Sequence, residues 1–140
     1  MGAEGTLNAR IVKTWFEDQI GEPFENKFSA IGFLKDDKIQ AAAIFNNYTG
    51  NNIDFHYYGP RITRGNYREI IDYVFNFLKC NRLTTIPHRE HKKTLIILPR
   101  MGFMQEAILK YYYGVDDSKD GLVYVLTKDR ALDWLKTKDK

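Results

Sequence analysis

Between Ile53 and Tyr58, Asp54, His56 and Tyr58 alternate with Ile53, Phe55 and Tyr57. That period of two places the first three on one face of a strand. An imidazole at His56, with an ordinary pKa of about 6.5, can take a proton from an ammonium near neutral pH, directly or through water. The Asp54 carboxylate two residues away can hold a cation or act as a base. The plainer reading of His56 is a hydrogen-bonded structural histidine. A few residues on, Arg61-Ile62-Thr63-Arg64-Gly65-Asn66-Tyr67 leads into a helical run. Asn66 with Glu69 three residues later has the form of a capping box, so the spacing predicts a helix start there. Backbone N–H groups of Ile62 to Tyr67 then point outward at the positive end of a helix dipole, where anions bind. Arg61 and Arg64 add charge-assisted contacts to a phosphate. Against this stands an ordinary strand-to-helix connection in which Gly65 relaxes a turn and both arginines are solvated.

Other chemistry-bearing residues carry weaker signals. Tyr111, Tyr112 and Tyr113 form a block whose alternate members should face opposite sides of a strand, where aromatic packing is the usual use of tyrosine. His88 and His91 lie three apart beside Lys92 and Lys93. Read as one helix face with no third ligand nearby, they make a weak zinc case, and no metal is expected. Cys80 has no histidine or carboxylate at a spacing that would activate a thiolate. The chain contains no Gly-x-x-x-x-Gly-Lys-Ser/Thr, His-Glu-x-x-His or Gly-x-Ser-x-Gly motif, which removes the direct signs of nucleotide hydrolysis, zinc proteolysis and serine-esterase action.

The elements that must position these residues follow from periodicity. Ile11, Val12, Trp15 and Phe16 recur at one-turn spacing over Ala9 to Gln19, with Asn8 as N-cap and Gly21 just beyond. Strands are predicted over Phe28–Leu34, Ile39–Tyr48 and Ile53–Tyr58, the first two joined by the polar turn Lys35–Lys38. Tyr67, Ile70, Ile71, Val74, Phe75 and Leu78 mark a second helix, and Arg82–Ile86 a short strand that a helical crossover would set parallel to its predecessor. A helix from about Glu90 to Leu98 with Pro99 in its last turn, strands over Phe103–Tyr113 and Gly121–Thr127, and a short helix in the tail complete the order. Glu106 falls on the first of those two strands, where a solvated strand face is its plainest reading. The class is mixed α+β, with a central, mainly antiparallel sheet, one parallel strand pair and flanking helices.

A chain of 140 residues has the length of one domain spanning 1–140, with a loose start over 1–8 and a basic tail over 128–140. A hydrophobic content of 44% against 28% charged excludes a disordered chain. The net charge of +3, from 21 Lys+Arg and 18 Asp+Glu, is too small for a nucleic-acid-binding profile. No apolar run nears the roughly 20 residues of a membrane span. One cysteine and no leading basic-then-apolar segment suggest a reducing compartment, the cytoplasm.

The order of elements, with Arg100-Met101-Gly102-Phe103, resembles the GCN5-related N-acetyltransferase superfamily, most nearly its ribosomal-protein and small-molecule branch. Tyr73 to Leu83 is similar to the family's phrase before its fifth strand, and Arg100 to Ala107 to the phrase that opens its sixth. The likeness covers roughly residues 9 to 127. It implies an acyl-CoA N-acyltransferase-like fold, acetyl-CoA as co-substrate and a primary amine, on a small molecule or a protein, that attacks the thioester directly. On that resemblance Arg61, Ile62, Thr63, Arg64, Gly65, Asn66 and Tyr67 cradle the pyrophosphate, and a backbone N–H near Tyr57 or Tyr58 meets the developing oxyanion. His91 falls where the family has an asparagine and would touch the pantetheine arm. Asp54 and His56 are then candidates for the base, with Glu106 a lesser one, and Tyr112 for the acid.

Beyond His91, the chain departs from the family in three more places. Its cofactor loop holds one glycine, Thr94 takes the place of a small residue, and Leu98 stands where the family often has a proton-donating tyrosine. Two other classes therefore stay open: a catalytically inactive acetyltransferase-like module that binds a protein partner, and a small nucleic-acid binder that stacks bases on its tyrosines. A monomer or a homodimer is expected.

Overall fold

Val12 and Phe16, one turn apart, are the buried anchors of helix α1 (Ala9–Ile20). Ile11, read from the sequence as part of the same stripe, is 55% exposed, and Trp15 is half-buried. Gly21 closes the helix at φ +76, its N–H donating to the Glu17 carbonyl at 2.8 Å, a left-handed ending that glycine adopts without strain. The computed structural model describes residues 9–21, 28–60 and 62–138. The expected cap Asn8 and the loop residue Arg61 lie outside the described residues. The chain divides into two compact units, Met1–Cys80 and Asn81–Lys140.

In the first unit, β1 (Ser29–Lys35), β2 (Lys38–Asn46) and β3 (Asn52–Tyr58) form an antiparallel meander in that order. The turn expected over four residues narrows to two, Asp36 and Asp37, with φ +53 and +63. Positive φ at both central positions matches the strand twist, and aspartate tolerates it better than most residues. Residues 41–46 of β2 are all buried. One face, Ala42 and Ile44, packs with Val12 and Phe16 of α1. On the other, Phe45 meets Phe55 at 5.6 Å and Tyr73 at 5.1 Å between ring centroids. Covered on both sides, β2 reads as a continuous apolar run rather than an alternation.

Helix α2 (Arg64–Ile71) buries Tyr67, Ile70 and Ile71 and continues as a π-helical stretch, Asp72–Phe77. Leu78 N–H accordingly donates to Tyr73 O at 2.9 Å, one residue further back than in an α-helix. The Tyr48 hydroxyl donates to the Leu78 carbonyl at 3.2 Å and tethers this end of the helix to the segment after β2.

The second unit contains β4 (Arg82–Thr85), α3 (Lys92–Arg100), β5 (Met104–Leu109), β6 (Gly121–Thr127) and α4 (Lys128–Lys138). Its strands run in the order β4-β6-β5, all antiparallel. Pro99 sits in the last turn of α3, where its missing N–H costs one intrahelical bond, and Gly102 ends the turn at φ +96. The strand expected over Phe103–Tyr113 stops at Leu109, so Tyr111–Tyr113 do not alternate across a sheet. They lie in a turn, with Tyr111 at φ +59. The reason is Asp120. Its fully buried carboxylate accepts from Tyr111 N–H at 3.0 Å and from Lys110 Nζ at 3.2 Å, and lies 3.4 Å from Arg89 Nη1. Its carbonyl accepts from Arg89 N–H at 2.9 Å. One residue thus ties the tyrosine turn to the 88–91 segment.

The class is the expected mixed α+β, with antiparallel strands flanked by helices. Among the described residues no helix is long and apolar enough to cross a membrane.

The hydrogen bond from Tyr111 N–H, then the charges of Lys110 and Arg89, hold the Asp120 carboxyl below its ordinary value. A depressed folded pKa contributes stability that is present above the unfolded value and lost as pH falls through the folded one. Asp120→Asn is therefore expected to lower the thermal midpoint at neutral pH and to flatten its decline below about pH 4. Thermal unfolding followed across that range checks this, and superimposable profiles would contradict it.

Candidate functional site

Strand register decides which way the β3 side chains face. Ile44 pairs with His56, Asn46 with Asp54 and Ala42 with Tyr58. Asp54, His56 and Tyr58 therefore share the face that carries α1, and Tyr58 meets Trp15 of α1 edge-on at 6.0 Å. His56 Nε2 lies 2.9 Å from Oδ1 of Asn46, a residue only 6% exposed. With Nε2–H donating to that oxygen, Nδ1 is the basic nitrogen of the neutral ring. The Asp54 carboxylate accepts from Asn47 Nδ2 at 2.9 Å and from Asn52 Nδ2 at 3.1 Å. Tyr57 points to the other face. Its hydroxyl donates to the Pro60 carbonyl at 2.6 Å, and burial pushes its pKa up.

The helix after β3 begins earlier than the capping-box pattern predicts. Thr63, extended at φ −76 and ψ 162, is the N-cap, and its Oγ1 accepts from Asn66 N–H at 3.1 Å. A hydroxyl at this position reaches the N–H of the third helical residue, so Asn66 is a first-turn residue and not the cap. Tyr67 N–H donates to the Thr63 carbonyl at 2.9 Å. The N–H groups of Arg64 and Gly65 precede the first intrahelical bond and have no partner within the helix. Both residues are exposed, Ile62 is half-buried, and Tyr67 is buried with its hydroxyl pushed far above the ordinary range by desolvation. Tyr67 therefore anchors the helix, and the outward-facing part of the loop narrows to Thr63, Arg64 and Gly65.

Two features of this helix start run against simple helix stability. No acidic residue occupies the first turn, and a cation, Arg64, stands at the positive end of the dipole. Gly65 needs no protein atom to stay away. A Cβ built there meets nothing nearer than Thr63 Oγ1 at 4.0 Å, so internal packing gives no reason for a residue that weakens a helix. A helix start that is basic, carries spare N–H donors and has its backbone bared by glycine suits an anion that approaches closely.

In the second unit, His91 is the exposed N-cap residue of α3, at φ −81 and ψ 72, and makes no side-chain cap. His88 lies in the segment before the helix, where it bridges to Gly121. The two histidines are therefore not an i,i+3 pair on one helix face, and Glu90 is gathered beside them. Burial, then the charge of His91, pushes the His88 pKa down. Its ring stacks on Tyr113 at 3.5 Å. The Tyr113 hydroxyl donates to the Ile86 carbonyl and is pushed up to about 12 by burial. Tyr112 is 52% exposed, and its ring lies over Gly121, where an added Cβ would come within 2.9 Å of Tyr112 Cδ2. Glu106 is an exposed strand residue paired with Arg82 at 2.8 Å, and Cys80 is buried with its thiol pushed up by desolvation.

Four residues that shape these sites escaped the sequence reading: Asn46, Thr63 as the cap, Glu90 and Asp120. Only Thr63 carried a usable signal, as a hydroxyl residue just before a helical run.

No protein-family model matches the chain, and neither does any curated protein. Solved structures do. Mutant forms of the spermidine/spermine N-acetyltransferase SpeG from Vibrio cholerae match with a TM-score of 0.73 at 13% identity, over 91% of this chain and 95% of that one. The ribosomal-protein-S5-alanine acetyltransferase from Vibrio fischeri matches with a TM-score of 0.63 at 17% identity, over 86% and 69%. The chain has the GCN5-related N-acetyltransferase fold. In this acetyltransferase-fold chain the β3 face and the start of α2 are close in sequence, separated by Gly59 to Thr63. Gly59, at φ +144, makes that short link possible, because a Cβ there would overlap the Cβ of Ala41.

The cap and the glycine make opposite predictions for stability. Thr63→Ala is expected to cost about 1 kcal/mol, whereas Gly65→Ala should add about 0.4–1 kcal/mol. Urea unfolding of the two variants checks both signs, and a destabilised Gly65→Ala would show that the glycine serves the fold.

Proposed function

We propose that this protein is an acetyl-CoA-dependent N-acetyltransferase whose acceptor is a primary amine. Support comes chiefly from the start of α2, where N–H groups without a helical partner, a bare Gly65 and Arg64 form an anion cradle within an acetyltransferase fold. A pyrophosphate laid against Thr63 to Gly65 would meet the Arg64 and Gly65 N–H groups and the Arg64 guanidinium. Acetyl-CoA, when bound, supplies an activated thioester.

The protein's own part is to hold the amine and free its lone pair. An alkylamine is protonated near pH 7 and does not attack a carbonyl until it loses that proton. His56, oriented by the buried Asn46, would take the proton at Nδ1. Asp54, braced by Asn47 and Asn52, would hold a cationic acceptor. The similar proteins named above are described as acting on spermidine or spermine and on a ribosomal-protein alanine; both groups are amines, which is the substrate class proposed here.

Release of free thiol from acetyl-CoA in the presence of a polyamine, an aminoglycoside and a peptide with a free N-terminus tests this. Arg64→Glu is expected to raise KM for acetyl-CoA with little change in kcat. His56→Ala is expected to lower kcat by about 100-fold or more near neutral pH. Acetyl-CoA binding without turnover on any amine would favour a partner-binding module, and no binding at all would overturn the proposal.

A further inference from the structure

His88, Glu90 and His91 each present one ligand atom, and the three atoms lie within 4.8 Å of one another. His88 Nδ1 stands 3.8 Å from Glu90 Oε1, and the two imidazole rings are 4.7 Å apart between centroids. His88 Nδ1 is also a buried atom with no hydrogen-bond partner. A buried ring nitrogen left unmatched costs free energy unless something outside the chain meets it. The surroundings hold the cluster in shape. Tyr113 stacks on the His88 ring, Arg89 N–H is fixed on the Asp120 carbonyl, and His91 N–H donates to the His88 carbonyl at 3.1 Å.

From this geometry we infer that His88, Glu90 and His91 form a binding site for a divalent transition-metal ion, zinc the best fit. Two imidazoles and one carboxylate are a borderline-soft donor set that suits Zn²⁺ and leaves a fourth position for water or another ligand. Ligand atoms around tetrahedral zinc, at bonds of about 2.0–2.1 Å, stand roughly 3.3 Å apart. The cluster closes to that spacing with side-chain adjustment of about an ångström. One internal competitor exists: Lys119 Nζ lies 3.2 Å from Glu90 Oε1 and must give up that oxygen when the ion enters. Lys92 and Lys93 follow at the start of α3 and oppose a second positive charge. Micromolar affinity is accordingly expected, not the tighter binding of a site free of cations.

Calorimetric titration of the full chain, carrying no affinity tag, with zinc chloride tests the assignment. One ion per chain is expected, with His88→Ala and His91→Ala each weakening binding at least about tenfold. Lys119→Met, which keeps the aliphatic stem that packs beside Gly114 but removes the competing charge, should bind zinc more tightly than the wild type. Should either histidine variant fail to fold, histidine ring resonances of the wild type serve instead. Zinc should shift those of His88 and His91 and leave His56, the third of the 3 histidines, unmoved. Absent binding, affinity unchanged in both histidine variants, or a Lys119→Met variant that binds no more tightly would each overturn the inference.

Discussion

Burial of β2 on both faces is the constraint from which the first unit follows. Ala42 and Ile44 belong to a core shared with α1, while Phe45, on the reverse side, packs on Phe55 and Tyr73. A slip of one residue would turn each of these side chains to the wrong layer. The register with β3 is therefore held firmly, and that register turns Asp54, His56 and Tyr58 toward α1. It also carries the chain to Gly59, where the close approach to Ala41 ends the strand just before Thr63 caps α2. The placement of Asp54, His56 and Tyr58 and of the start of α2, the two parts of the proposed site, thus follows from the same packed strand.

Features set by local chemistry were legible in the sequence. The period-two pattern of β3 and the one-turn spacing of Val12 and Phe16 lead directly to the observed strand and helix. Gly102 marks the end of α3 as its freedom to take positive φ allows. Features set by distant partners were not. Nothing near Tyr111 announces that its N–H will be captured by Asp120, nine residues away, so an apparently continuous strand bends into a turn at that point. Thr63 and Asn66 both look like caps, and the choice depends on where β3 releases the chain. His88 and His91 read as one helix face until the bridge to Gly121 holds His88 before the helix and gathers Glu90 beside both rings.

Electrostatic choices that disfavour isolated helices recur in both units. α2 opens on Arg64 and α3 on Lys92 and Lys93, and neither has an acidic residue in its first turn. Positive charge at a helix N-terminus opposes the dipole, so such residues contribute little to the stability of either helix. At α2 the N–H groups of Arg64 and Gly65 without a helical partner and the bare backbone at Gly65 are the features on which the proposed anion cradle rests. At α3 the Glu90 carboxylate just before the helix partly offsets the charge, and it lies beside the rings of His88 and His91. The fold is similar to that of solved acetyltransferase structures at 13% and 17% identity.

Backbone amide resonances recorded while acetyl-CoA is added give the most direct measurement of the central claim. If the start of α2 is the cofactor cradle, the largest shifts fall on the N–H groups of Arg64 and Gly65, saturate at one equivalent, and are reproduced in that segment by free CoA. Saturable binding that leaves Arg64 and Gly65 unmoved, or no shift at any residue, would contradict it.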